Sequence, residues 1–146
     1  MISYDRFKIR VWHKPTQIMY ERAVWRFEAD SPDLRWLFCK HGHGVASDPT
    51  YCFLVEDCII MQCIGIRDKK GRLLYEGDVI KDKNGFNDNL TEYSIGWEED
   101  DGAYLAKSAS GEYSRNAGLF HYAEYVGNVF EMERDRRMRE EFPNEN

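Results

Sequence analysis

Residues 61 to 80 read MQCIGIRDKKGRLLYEGDVI, and how this stretch alternates apolar runs with turn chemistry decides the fold. An apolar run ends at Ile66. Asp68-Lys69-Lys70-Gly71 follows as a turn, with Gly71 supplying the positive φ that closes a hairpin onto Leu73-Leu74-Tyr75. Two antiparallel strands are expected to meet there. In Glu76-Gly77-Asp78, Gly77 gives the backbone a conformation closed to residues with a Cβ. Asp78 accepts hydrogen bonds from turn amides before Val79 and Ile80 enter a strand. Asp68, Glu76 and Asp78 are also a conceivable carboxylate cluster for catalysis. Each stands beside a turn glycine with no histidine near, so the structural role is the one expected.

The same reasoning extends outward in both directions. Tyr51 to Glu56 and Cys58 to Ile66 are β-branched and aromatic runs, either one bent strand or two joined tightly. Phe7, Ile9 and Val11 alternate with Lys8, Arg10 and Trp12, and an interruption at 13–17 precedes Ile18-Met19-Tyr20, which predicts an N-terminal hairpin. Ser31-Pro32-Asp33 carries an N-cap residue, a proline suited to the first helical position and an early acid. A short helix from Pro32 to Lys40 is therefore predicted, ended by Gly42 and Gly44. Leu90 to Trp97 and Ala103 to Ala106 flank the acidic tip Glu98 to Gly102 as another hairpin. Tyr125 to Phe130 is a last strand, and Glu131 to Glu141 a solvated helix with opposite charges at i,i+4.

A chain of 146 residues is the size of one ordinary domain and buries about 70% of its unfolded surface. Apolar residues make up 42% and aromatics 14%, which excludes a disordered protein. The net charge of −6 disfavours phosphate backbones and anionic lipid surfaces. Charges at Asp5, Arg6, Lys8 and Arg10 break any secretory h-region and no run reaches transmembrane length, so a cytoplasmic, membrane-free protein with reduced thiols is expected.

Arg10-Val11-Trp12, Met19-Tyr20, the block Met61 to Gly71, Tyr75-Glu76-Gly77-Asp78-Val79-Ile80 and Val126-Gly127-Asn128-Val129-Phe130-Glu131 together resemble the YopX family of phage and prophage proteins. Order and spacing agree over most of the chain, with Cys63, Ile64 and Lys70 departing from the family's central block and 22–57 matching nothing. The resemblance implies an α+β, mainly β protein in one domain, 1–146. An N-terminal α+β half (1–57) precedes an SH3-like small barrel (58–131) and a charged C-terminal helix or tail (132–146). It also implies a phage or prophage gene and a bacterial cytoplasm. It implies no activity and carries over no catalytic residue.

Cys39, His41 and His43 stand at alternate positions and Cys52 could add a fourth ligand, which makes them the candidate metal set. The spacing is that of no zinc finger or ribbon, so neither metal nor other cofactor is expected. A nucleophilic pair of one of the four cysteines with His41, His43 or His121 lacks a visible activating group. No phosphate-binding glycine motif occurs. The 21 aromatics exceed what a small barrel and a short α+β half hold inside, so Trp12, Trp25, Trp36 and Phe38 are the expected anchors for a partner. The expectation is a non-enzymatic accessory protein that binds a host or phage protein, modulates host functions or defence, and forms a homo-oligomer. The alternatives are a protein that sequesters a small ligand or nucleotide, or a nucleic-acid accessory factor.

Overall fold

The computed structural model describes residues 8–27, 35–41, 49–83, 89–111 and 114–143. They form a mainly β protein with three antiparallel sheets and one C-terminal helix. The chain divides into two compact units, Phe7–Gln62 and Cys63–Asn146.

In the N-terminal unit, β1 (Ile9–His13) and β2 (Ile18–Tyr20) form the expected hairpin, with Val11 opposite Tyr20. Its turn places Gln17 at φ 58°, held by a 2.8 Å bond from its amide to the His13 carbonyl. The half-buried alternation expected here is not what forms. Arg10, Val11, Trp12 and His13 are all buried, because β1 is flanked on its other side by β6 (Cys58–Arg67) and is covered on both faces.

β3 (Arg22–Phe27), β4 (Arg35–Lys40) and β5 (Tyr51–Leu54) make a separate sheet in the order β3-β4-β5. The helix predicted from Pro32 to Lys40 is therefore wrong where it can be checked, since Arg35 to Lys40 is a strand; 31–34 and Gly42 and Gly44 lie outside the described residues. Leu37 and Cys39 are wholly buried while Trp36, Phe38 and Lys40 are half-buried, a two-residue period that side-chain burial imposed over the capping signals. The small core joins Val11, Tyr20, Leu37 and Cys39. A 3-10 turn at Val55–Asp57 separates β5 from β6, so the two apolar runs are two elements, β5 on β4 and β6 on β1.

β6 pairs with β1 as far as Gln62 and from Cys63 with β7 (Leu73–Tyr75), the hairpin expected around Asp68 to Gly71, with Gly71 at φ 84°. The C-terminal unit's main sheet has the order β11-β10-β9-β8-β12. Its strands are β8 (Asp78–Lys83), β9 (Leu90–Glu98), β10 (Ala103–Ser108), β11 (Ser114–Asn116) and β12 (Glu124–Asn128). The acidic β9–β10 hairpin turns at Gly102, φ 59°. β11 and the 3-10 segment Ala117–Tyr122 carry no periodic signal in the sequence. α1 (Val129–Glu141) takes over Val129 and Phe130, which read as strand, because Asn128 caps it by accepting from the Phe130 amide at 3.0 Å. Its charges centre on Arg136, paired to Glu133 and Glu140.

Leu74, Ile80, Tyr93, Ile95, Ala106, Phe120 and Ala123 form the C-terminal core. The Tyr93 hydroxyl is buried in it with no hydrogen-bond partner. A hydroxyl taken from water without compensation costs about 1–3 kcal/mol. Tyr93→Phe is therefore expected to leave the urea-unfolding free energy unchanged or raise it by about 1 kcal/mol; a clear loss of stability would contradict the assignment.

Candidate binding surface

Of the three acids of the central block, Asp68 and Asp78 accept from backbone amides and Glu76 meets a side chain. Asp68 accepts from the Lys70 and Arg72 amides through Oδ1 and from the Tyr125 amide through Oδ2, each at 2.9 Å. Burial pushes its carboxyl up, but those three donors and the Arg72 guanidinium outweigh it and hold the group below its ordinary value. The same turn grips the start of β12 again: Lys69 donates its amide to the Ala123 carbonyl, and the Lys69 and Lys70 ammonium groups pair with Glu124 at 3.4 and 2.7 Å. Arg72 lies 3.7 Å over the Tyr125 ring. Asp78 is 0% exposed and accepts from the Tyr75 amide at 2.8 Å and the Asn128 side-chain amide at 3.1 Å. Glu76 bonds and sits close to the Tyr104 hydroxyl, which, after burial, helps raise that phenol. Gly77 adopts φ 82°, donates to Ile95 and accepts from Val129. The block is a clasp built of turn chemistry.

Three of the residues singled out as ligands, Cys39, His41 and Cys52, lie within the described residues. Cys39 is buried on β4, its thiol pushed up to about 12 by burial, with Cys58 and Cys52 adding to the shift. Cys58, bonded to the Leu54 carbonyl, rises to about 11, again mainly through burial. Neither is an activated nucleophile. Cys52 is exposed on β5 opposite Phe38, and His43 lies outside the described residues. Among the described residues no three His, Cys, Asp or Glu side chains converge as a metal-binding group.

Of the expected aromatic anchors, Trp12 is 2% exposed and has no surface to offer. Trp36 and Phe38 are half-buried on β4, and Trp25 lies on β3 opposite Leu37. What does gather is a set of rings that no spacing rule connects. His13 stacks on Phe53 at 3.7 Å, Tyr20 stacks on His41 at 4.5 Å, and Tyr51 lies parallel to Phe53 at 6.2 Å. Tyr20 joins the two groups, 5.1 Å from Phe53 and 5.5 Å from Tyr51. The stack runs from buried His13 and Tyr20 to exposed His41 and Tyr51, the last 38% exposed. Burial lowers the His13 pKa against the pull of Asp57, and raises that of Tyr20 with Tyr51, Cys39 and Cys58 contributing. An aromatic shelf of this kind suits apolar and planar groups of a partner. Among the described residues, the other exposed aromatics are Trp97, edge-on to Tyr104 at 5.0 Å, Tyr122 and Phe142, all in the C-terminal unit.

A second concavity of ≈ 470 Å³ lies between α1 and the sheet face opposite the C-terminal core. Val79, Val129 and Met132 give it an apolar floor, and Glu92, Lys107 and Arg139 are among the charges around it.

A family model described as YopX protein matches residues 8–134. The chain belongs to the YopX family. Two solved structures share the YopX-like fold. Protein EF1440 from Enterococcus faecalis has 18% identity and a TM-score of 0.57, with 86% of this chain and 94% of that one covered. Protein yopX from Bacillus subtilis has 13% identity and a TM-score of 0.51, with the same coverage of each chain. At these identities they establish the fold. No curated protein matches the chain. Among the described residues no helix is long and apolar enough to cross a membrane.

Proposed function

We propose that this member of the YopX family is a non-catalytic accessory protein of a phage or prophage. In this reading it works in the bacterial cytoplasm by binding a host or phage protein, with modulation of host functions or defence as its purpose. Its C-terminal half is read as an SH3-like barrel. The observation that carries the binding reading is the graded stack of His13, Phe53, Tyr20, His41 and Tyr51, whose outer members are exposed while the inner ones are fixed in the N-terminal core. Rigid rings anchored below and open above lose little conformational entropy on binding. Of the carboxylates that would otherwise suggest catalysis, Asp68 and Asp78 accept from backbone amides and Glu76 bonds to the Tyr104 hydroxyl.

The test is purification of the tagged chain from expressing bacteria, beside Tyr51→Ala and His41→Ala. A defined protein partner retained by the parent and lost by both variants, with melting temperatures preserved, is the expected result. A partner held equally by all three chains would overturn the assignment of the surface. The groove beneath α1 favours a second reading, a small-ligand or nucleotide-sequestering protein. A stoichiometric nucleotide in the purified protein, with no protein partner, would replace the first reading by that one.

A further inference from the structure

α1 faces the C-terminal sheet without closing onto it. Val129, Met132, Glu133, Arg136 and Arg139 recur at spacings of three and four, which puts them on one side of the helix, and all five line the ≈ 470 Å³ groove. Across it stand Val79 on β8, Glu92 and Ser94 on β9 and Lys107 on β10. Ser94 lies opposite both Val79 and Lys107, so these three form one row of the sheet. Met132 rests on Gly127, where an added Cβ would come within 2.9 Å of its Sδ, and that contact seats the apolar end of the groove. The volume is that of a small-molecule site. Most of its charges are matched. Glu133 pairs with Arg136, which also holds Glu140, while Asp135 pairs with Arg134 and Lys107 with Glu98. Among the described residues Glu92 and Arg139 are in no ion pair, so the walls keep one unanswered charge of each sign.

We propose that this groove binds a small amphoteric molecule, one that carries an ammonium and a carboxylate on an apolar body, as a short apolar peptide with free ends does. An occupant displaces water from both Glu92 and Arg139, and desolvating a charge without a partner is costly. A purely apolar molecule leaves both uncompensated, an anion leaves Glu92 so, and a cation leaves Arg139 so. An amphoteric one answers both. Its ammonium meets Glu92, its carboxylate meets Arg139, and its apolar part covers Val79, Val129 and Met132. This rests on the small-ligand reading of the groove and chooses against a nucleotide, whose phosphates would add negative charge beside Glu92, Glu133 and Asp135. The protein-binding reading is untouched by it.

The test titrates the dipeptide Leu-Phe, its N-acetylated form and its C-amidated form calorimetrically into the full chain, into Glu92→Gln and into Arg139→Gln. Both side chains are exposed, so the variants should keep the parent's melting temperature. Leu-Phe is expected to bind the parent about fivefold more tightly than either blocked form. In Glu92→Gln the cost of acetylation disappears while that of amidation remains, and in Arg139→Gln the reverse holds. Equal affinity of the parent for all three peptides would keep a small-ligand groove but overturn the amphoteric class. So would blocking costs that persist unchanged in both variants. No saturable heat from any of the three at millimolar concentration would overturn the proposal, while a nucleotide retained by the purified protein would keep the small-ligand reading without it.

Discussion

Asp78→Ala lowers the unfolding free energy by about 3–4 kcal/mol, read from urea denaturation at neutral pH. The carboxylate is fully buried, and its removal takes away the acceptor to which the Tyr75 amide and the Asn128 side-chain amide bond. Each donor left unsatisfied in the interior costs about 1–3 kcal/mol. The loss then spreads, because Asn128 is held in place by Asp78 and itself accepts from the Phe130 amide as the cap of α1. Asp78→Asn keeps one acceptor and should fall between parent and Ala. An Ala variant within about 1 kcal/mol of the parent would mean that water replaces the buried network at little cost.

Asp68→Ala is expected to cost about 3 kcal/mol at pH 7, and the difference from the parent to shrink in acid. Three backbone amides converge on this carboxylate. Its folded pKa lies below the ordinary 3.8. The unfolded chain therefore takes up the proton first as pH falls, so the stabilisation is present above the unfolded value and is lost as pH drops through the folded one. Paired urea titrations at pH 7 and in steps below pH 4 check this. A difference that stays constant into acid would show that the charge on Asp68 contributes nothing.

These two acids also show what a sequence of this kind discloses. Asp68 and Asp78 are readable as turn formers because the amides they serve at Lys70, Arg72 and Tyr75 are two to four residues away. Their other partners, Tyr125 and Asn128, are 57 and 50 residues distant, and no local pattern points to them. β4 failed for a related reason: Ser31-Pro32-Asp33 is a sound helix-start signal, but the burial of Leu37 and Cys39 against Val11 and Tyr20 depends on contacts made elsewhere in the chain. The aromatic shelf was hidden in the same way, its five rings drawn from β1, β2, β5 and the residue after β4. Composition did announce that some rings would stand outside; it held no information on which.

The capping of α1 by Asn128 has a mechanical consequence. The helix buries none of its residues, and as a free 13-residue peptide it would be marginal in water. The Asp78–Asn128 bond and the Val129 amide on Gly77 tie its start to the entry of β8, and Arg136 pairs along it with Glu133 and Glu140. A molecule entering the space beneath it would meet the helix from Val129, beside that attachment, to Arg139 near the other end.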